Sequence, residues 1–425
     1  MQAAPRSAVR LRERVANPTR LHWPAVAVIA LVTAGGGLDI RRRDVTAALD
    51  SSVDMVIVAE LAMFAAVALY LFLTVALPPR RRRLPMLLVA AWTLATILAV
   101  SASWAPSPTL ALVRGGQLLI TLSLATAIAR RADQRDLALI AHAYVLVVTC
   151  WIVLGLFVRR PPPLTAGRFG WLYTHPVVAG SLLVMSTIIL ASWSTRRGGP
   201  RFLSTPTIRV LLVIHAGALL ATQTRGAVIA VVAGLATLVW LRLGSRRRID
   251  MVILAAVSSP LVIALAASIV RGFLLRGGSY EELRSLNSRT NLWSDAVTEV
   301  GKNPIFGRGY FSAREIFLDS IGLGGSHNAY IEIAVSAGLL GVAAFVWVIG
   351  SATVALWRLR HHQQQPLLAA LLVAALVNAI STEYLAGAGT GANVLFLVLL
   401  GWIAALPRPA PDVATPPSDL ASRPS

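Results

Sequence analysis

The stretch from Val53 to Ala76, VDMVIVAELAMFAAVALYLFLTVA, carries only Asp54 and Glu60 as charges and runs into Pro78-Pro79 and then Arg80-Arg81-Arg82-Arg83. Its 24 residues make ~36 Å of helix at ~1.5 Å per residue, enough to cross a hydrocarbon core of about 30 Å. Lipid offers the backbone no hydrogen-bond partners, so a run of this kind spans as a helix. The arginines that follow read as a cytoplasmic anchor.

The pattern repeats along the chain. Apolar runs bounded by Arg, Pro or Gly fall at Leu21 to Leu38, Val53 to Ala76, Leu84 to Trp104, Leu110 to Ala129, Leu137 to Val158, Pro176 to Trp193, Ile208 to Ala221, Ala227 to Leu241, Met251 to Val270, Ala329 to Trp357, Pro366 to Ser381 and Gly391 to Leu406. The expectation is an all-α polytopic membrane protein of about twelve transmembrane helices. Composition agrees: 56% of the 425 residues are apolar, 14% are charged and the mean hydropathy is +0.69, more hydrocarbon than a water-soluble fold can hide. The single cysteine, Cys150, lies inside an apolar run and rules out a disulfide framework, a thiolate metal site or a CxxC pair within one chain. The first run leads through Gly35-Gly36-Gly37 to Asp39 and Arg41-Arg42-Arg43 rather than to a small-residue cleavage site, and is read as a retained span.

Charge sets the topology. The chain carries 39 Lys+Arg against 19 Asp+Glu, a net of +20, with the basic residues in short clusters between apolar runs, which suits membrane orientation better than nucleic-acid binding. With the N-terminus inside, 24 of the basic and 6 of the acidic residues face the cytoplasm, the asymmetry the positive-inside rule requires. Both termini are therefore expected inside, residues 1–20 as a cytoplasmic segment, 21–406 as the transmembrane domain and 407–425 as a disordered Pro-, Ser- and Ala-rich tail. The longest hydrophilic stretch, residues 271–328, falls on the outer side between spans nine and ten, with 7 basic and 6 acidic residues. Solvation alone does not require a loop of that length, which makes it the first place to look for a site. Within it, Asn291 to Val300 reads as a short helix and Ile305 to Tyr310 as a Gly-rich turn.

Three outer arginines lie on the wrong side for topology signals: Arg168 in Gly167-Arg168-Phe169-Gly170, Arg225 in Thr224-Arg225-Gly226, and Arg289 in Ser288-Arg289-Thr290. The short spans flanking Arg225 sink its turn below the membrane surface, where an arginine needs a protein-lined cavity and an anionic partner. Together the three point to an anion site; singly, each reads as a snorkelling or carbonyl-bound Arg. His327, in Ser326-His327-Asn328, opens the tenth span after Gly322, Gly324 and Gly325. An imidazole changes charge near neutral pH and suits the removal of a hydroxyl proton, with helix capping the bland alternative. His175, beside Pro176, is its competitor, and Glu332, one turn beyond His327, is an intramembrane acid that reads equally as orienting His327 or as pairing with an arginine for structure. His142 and His215, inside spans, read as packed. Trp104, Trp171, Trp293 and Tyr330 read as an aromatic belt. Outer acids form no tight pair suited to a divalent cation, and no cofactor is expected.

In order and location these residues resemble the O-antigen ligase and O-antigen polymerase family of membrane glycosyltransferases. The resemblance rests on Arg168 to Pro176, Thr224-Arg225-Gly226, Ser288-Arg289 followed by Trp293, Pro304, Gly307 and Gly309, and His327-Asn328 followed by Gly338 and Gly341, about half the chain. It implies a GT-C-like, metal-independent, inverting enzyme of the bacterial cytoplasmic (inner) membrane, its site facing outward. Such an enzyme takes a glycan from a polyprenyl (undecaprenyl) pyrophosphate to a hydroxyl on a glycan, glycolipid or protein acceptor. On that resemblance Arg225 and Arg289 bind the pyrophosphate, Arg168 assists, His327 is the general base and Asn328 is accessory. A polymerase of the same family uses the same donor site. The other class to weigh is a twelve-helix secondary transporter, but the long outer loop has no counterpart in the first half of the chain.

Overall fold

The computed structural model describes residues 23–41, 54–74, 83–158, 167–195, 202–251, 258, 267, 271–273, 289–321, 325–387 and 389–406. All regular structure among them is helical. The elements are α1 (Trp23–Val32, continued by a wide turn Thr33–Gly37), α2 (Met55–Thr74), α3 (Met86–Ser101), α4 (Pro108–Arg131), α5 (Gln134–Phe157), α6 (Pro176–Ser194), α7 (Thr205–Ala221) and α8 (Arg225–Arg242). They continue with α9 (Arg289–Lys302), α10 (Ser312–Ile321), α11 (Ala329–Arg358), α12 (Gln365–Ala379) and α13 (Gly391–Ala405). Seven of these, α2 to α6, α8 and α11, are long and apolar enough to cross a membrane, and α1, α7, α12 and α13 are shorter apolar helices. Eleven of the twelve expected spans thus have a helix among the described residues. The ninth, Met251 to Val270, lies almost wholly outside them, as do the two terminal segments.

Local chemistry fixes where the helices start. Asp133 and Asp136 form a reciprocal capping box at α5, Ser204 accepts from the Thr207 N–H at α7, and proline occupies the first turn of α4, α6, α7 and α12. Packing then follows small residues. α8 lies along α12, where a Cβ on Gly234 would press on the Ala370 carbonyl and the Ile188 side chain. α13 lies along α4, where Gly401 sits against the Ala125 backbone. Close backbone approach of this kind supplies the dispersion contacts that hold helices together where lipid removes the hydrophobic drive. α6 is enclosed along most of its length and α2 along little of it.

α11 is two pieces. Gly338 has φ 59° and ψ −154°, a conformation open essentially to glycine alone, and it interrupts the helical ladder. The orphaned groups are taken up by the turn that precedes α10: Leu339 and Leu340 donate to the Pro304 and Ile305 carbonyls, while Arg308 and Gly309 donate to Val335 and Ser336. The turn is packed so closely that a Cβ on Gly307 would meet the Val335 to Ala337 backbone and one on Gly338 would meet Pro304 and Ile305. Pro304, Gly307, Gly309 and Gly338 are thereby explained by backbone approach. α9 and α10 close over this junction with a small core of their own, Leu292, Ala296, Ala313, Phe317 and Val335. α9 matches the expected short helix, whereas α10 has no counterpart in the sequence reading.

Candidate functional site at one end of the bundle

The starts of α4, α6, α8 and α11 and the turn between α12 and α13 lie at one end of the bundle, the end expected outside from the distribution of arginines in the sequence. The segment before α6 is stitched to its surroundings: Trp171 is fully buried with its indole N–H donating to the Gly37 carbonyl (2.7 Å), and Phe169 donates its N–H to the Ala221 carbonyl. Trp171 is a core residue here, in contrast to the belt position expected for it. Arg168 turns onto the α7–α8 turn, its Nε donating to the Thr222 carbonyl (2.9 Å) and its Nη2 to Thr224 Oγ1 (3.1 Å). Arg168 therefore braces the turn that presents Arg225.

Arg225 is the first residue of α8, half-buried, and adds its charge to the positive end of that helix. The next residue, Gly226, lies against Ser381, so any side chain there would collide with the α12–α13 turn. Arg289 opens α9, and its side chain lies outside the described residues.

His175 caps α6. Its Nδ1 accepts the Val177 N–H (3.2 Å), which leaves the proton of the neutral ring on Nε2. Burial, then the charges of Arg168 and His327, push the imidazole down to about 4, with Glu383 opposing. Asn328 caps α11, its Oδ1 accepting from the N–H groups of Tyr330 (2.9 Å) and Ile331 (3.3 Å). His327, one residue earlier, is held at φ 51° and is half-buried, with Nδ1 3.4 Å from Glu383 Oε2. Glu332 is buried and lies one step back, accepting the Ser326 hydroxyl (2.8 Å). The carboxylate facing His327 is thus Glu383, and Glu332 supports the turn that carries the histidine.

Glu383 comes from the α12–α13 turn and was not singled out in the sequence. Burial pushes its carboxyl up, but the neighbouring His327, a backbone hydrogen bond and Arg314 outweigh that and hold it below the usual carboxylate range. Its turn is the hub of the site. Ser381 abuts Gly226, Glu383 faces His327 and lies over Gly325, and the Ala386 carbonyl accepts the Tyr310 hydroxyl (2.9 Å). Among the described residues no three His, Cys, Asp or Glu side chains are grouped to hold a metal ion. His142 and His215 are buried within the bundle, the first stacked on Trp193 and the second between Ser186 and Thr149.

What the arrangement brings together is an imidazole with a carboxylate oxygen 3.4 Å from its Nδ1 and, across the α12–α13 turn, a helix start that carries an arginine. A carboxylate at Nδ1 holds the proton there and leaves Nε2 with its lone pair, the geometry of an oriented general base. The spacing of 3.4 Å is longer than an ordinary hydrogen bond, and Glu383 Oε2 has no hydrogen-bond partner among the described residues.

Residues 208–346 match the family model described as O-antigen ligase. That region contains Arg225, Arg289 and His327, while Arg168, His175 and Glu383 lie outside it. An O-antigen ligase of Pseudomonas aeruginosa is 27% identical over 202 residues, which cover 47% of this chain and 46% of that protein. The chain thus matches just under half the length of this curated relative. Both comparisons agree with the resemblance to the O-antigen ligase family read from the sequence.

Proposed function

From that similarity, we propose that the chain is a membrane glycosyltransferase of O-antigen ligase type, GT-C-like, using a polyprenyl-pyrophosphate glycan as donor on the outer face of the bacterial cytoplasmic membrane. The observation that carries this reading is that one turn, between α12 and α13, reaches both His327, through Glu383, and the Arg225 start of α8, through Ser381 against Gly226. Arg225 and Arg289 take the pyrophosphate, and Arg168 keeps the Arg225 turn in place. An acceptor hydroxyl attacks the anomeric carbon from the face opposite the pyrophosphate. As the new C–O bond forms, the bond to the pyrophosphate oxygen breaks with its electron pair, the hydroxyl proton passes to His327 Nε2 and configuration inverts. Guanidinium groups and a helix start in a low-dielectric site stabilise the charge gathering on the leaving group. A ligase and a polymerase differ in the acceptor, and this chemistry serves both.

The test is transfer in vitro by the purified full-length chain in lipid nanodiscs, from polyprenyl-pyrophosphate glycan to acceptor. Transfer should persist in EDTA, and Arg225→Lys should be slower by about tenfold or more, since an ammonium lacks the forked donors of a guanidinium. Strict dependence on added Mg²⁺ or Mn²⁺, or wild-type rates in Arg225→Lys, would overturn the reading.

A further inference from the structure

Four non-glycine residues among those described have φ in the left-handed region: Leu172 (49°), Gln223 (51°), Phe311 (67°) and His327 (51°). Bulky side chains are rare there, and such backbone persists where the surroundings over-determine it, often at functional sites. Three of the four lie in segments already given a part: Leu172 precedes His175, Gln223 precedes Arg225, and His327 is the base. The fourth, Phe311, precedes Arg314, to which nothing above gives a role.

The surroundings of Arg314 resemble a built site. Its guanidinium lies over the Phe311 ring, 5.5 Å from the centroid, and Arg114 of α4 lies over the same ring at 5.4 Å. The Nε of Arg314 is buried and has no hydrogen-bond partner among the described residues. The segment that carries it is pinned on three sides: Gly309 lies against the Ala105 backbone, the Tyr310 hydroxyl donates to Ala386, and Ser107 donates to Glu315 Oε2 (2.6 Å). Arg314 acts electrostatically on Glu332 and Glu383, whereas Arg168 acts on His175. Both cationic groups connect to the turn that carries Glu383: the Arg225 start of α8 through Gly226 against Ser381, and the Arg314 segment through the Tyr310 hydroxyl on the Ala386 carbonyl.

We propose that Arg314, with Arg114 beside the Phe311 ring, is the acceptor-side subsite and binds an anionic group, phosphate or carboxylate, carried by the acceptor near its reacting hydroxyl. This rests on the transfer reading above, in which the donor's pyrophosphate occupies the Arg225 side. Arg114 also donates to Gln117 Oε1 (2.9 Å), while the buried Nε of Arg314 offers a charge-assisted donor with no acceptor among the described residues, so the subsite favours a charged acceptor over a neutral one of the same shape.

Binding of soluble probes to the full-length chain in nanodiscs tests the subsite without any transfer, by titration with glucose 6-phosphate, glucuronate, glucose and inorganic pyrophosphate. Wild type should bind glucose 6-phosphate or glucuronate at least about tenfold more tightly than glucose, and the preferred probe identifies the anion. Arg314→Gln should lose that preference, weakening the anionic sugar by about tenfold to a hundredfold, with Arg314→Lys in between. Inorganic pyrophosphate should bind Arg314→Gln as it binds wild type and should be lost from Arg225→Gln. A wild type that treats glucose and the anionic sugars alike, a preference that survives Arg314→Gln, or equal loss of pyrophosphate in the two Gln variants would each overturn the proposal. Should Arg314→Gln fail to fold, Arg314→Lys and Arg114→Gln decide, and an undiminished preference in both overturns it. An anion preference that responds to Arg314 in a chain that transfers no glycan would leave the subsite standing and sink the transfer reading.

Discussion

Two helices start at the same end of the bundle with a histidine nearby, and they use it in opposite ways. At α6 the histidine is itself the cap, and the lone pair of His175 Nδ1 is spent on the Val177 N–H. At α11 the cap is Asn328, which satisfies two backbone donors and leaves His327, one residue earlier, to face Glu383. A helix start needs an acceptor at one position. Where an asparagine supplies it, the adjacent imidazole is released for chemistry. The electrostatic surroundings widen the gap, since His175 has a cation beside it in Arg168 and His327 has a carboxylate.

The largest effect should come from exchanging these roles by mutation. His327→Ala should lower turnover by about 10² to 10⁴, the range for losing a general base. His175→Asn, which keeps a capping acceptor, should stay within a few-fold of wild type. Measuring both in the nanodisc transfer assay, with membrane expression followed in parallel, breaks the comparison if the order is reversed.

A smaller loss is expected one step from the base. Glu383→Gln should reduce turnover by about 10- to 100-fold, the scale for removing a carboxylate that orients a working imidazole, and Glu383→Asp should recover part of it. Equal loss in the Asp and Gln variants, with unchanged thermal unfolding, would mean that the carboxylate does not position His327.

The smallest effect is on stability, and its pH dependence reports on His175. His175 is held near 4 in the folded chain, below the ~6.5 of a free imidazole, so the unfolded chain binds a proton that the folded one refuses between those values. Folded-state stability should therefore fall as pH drops from about 6.5 toward 4. His175→Asn should flatten that part of the unfolding-temperature profile. A profile that the substitution leaves unaltered would contradict the neutral, capping His175.

Much of the fold is legible because lipid leaves few options. Apolar runs of sufficient length between arginine clusters become helices, and eleven of the expected spans do so among the described residues. α9 is announced by its stop signals at Gly301 and Pro304. α10 was within reach of the same approach, since Ala313 and Phe317, four residues apart, pack against Leu292 and Ala296. The site is less legible. Its arginines and His327 stand out by residue type against an apolar background, but Glu383 is brought to His327 from 56 residues away by the packing of α11 and α12. Its local signal is slight, an acid just past an apolar run and ahead of Gly387 and Gly389. Arg114 had the clearer mark: a charge inside a spanning run, four residues past its first leucine at 110.

The interruption of α11 at Gly338 also bears on how the protein meets membranes of unequal thickness. The 20 residues from 339 to 358 amount to ~30 Å of helix, the depth of the hydrocarbon by themselves. Hydrophobic mismatch is ordinarily relieved by tilting the span. Here the helical ladder does not continue into the segment that bears Glu332 and follows His327, because its hydrogen bonds at the break run to the turn at 304–309. A tilt of the lower piece is thereby met at a joint of backbone hydrogen bonds, and His327 keeps its register with the turn at 304–309 rather than with the bilayer.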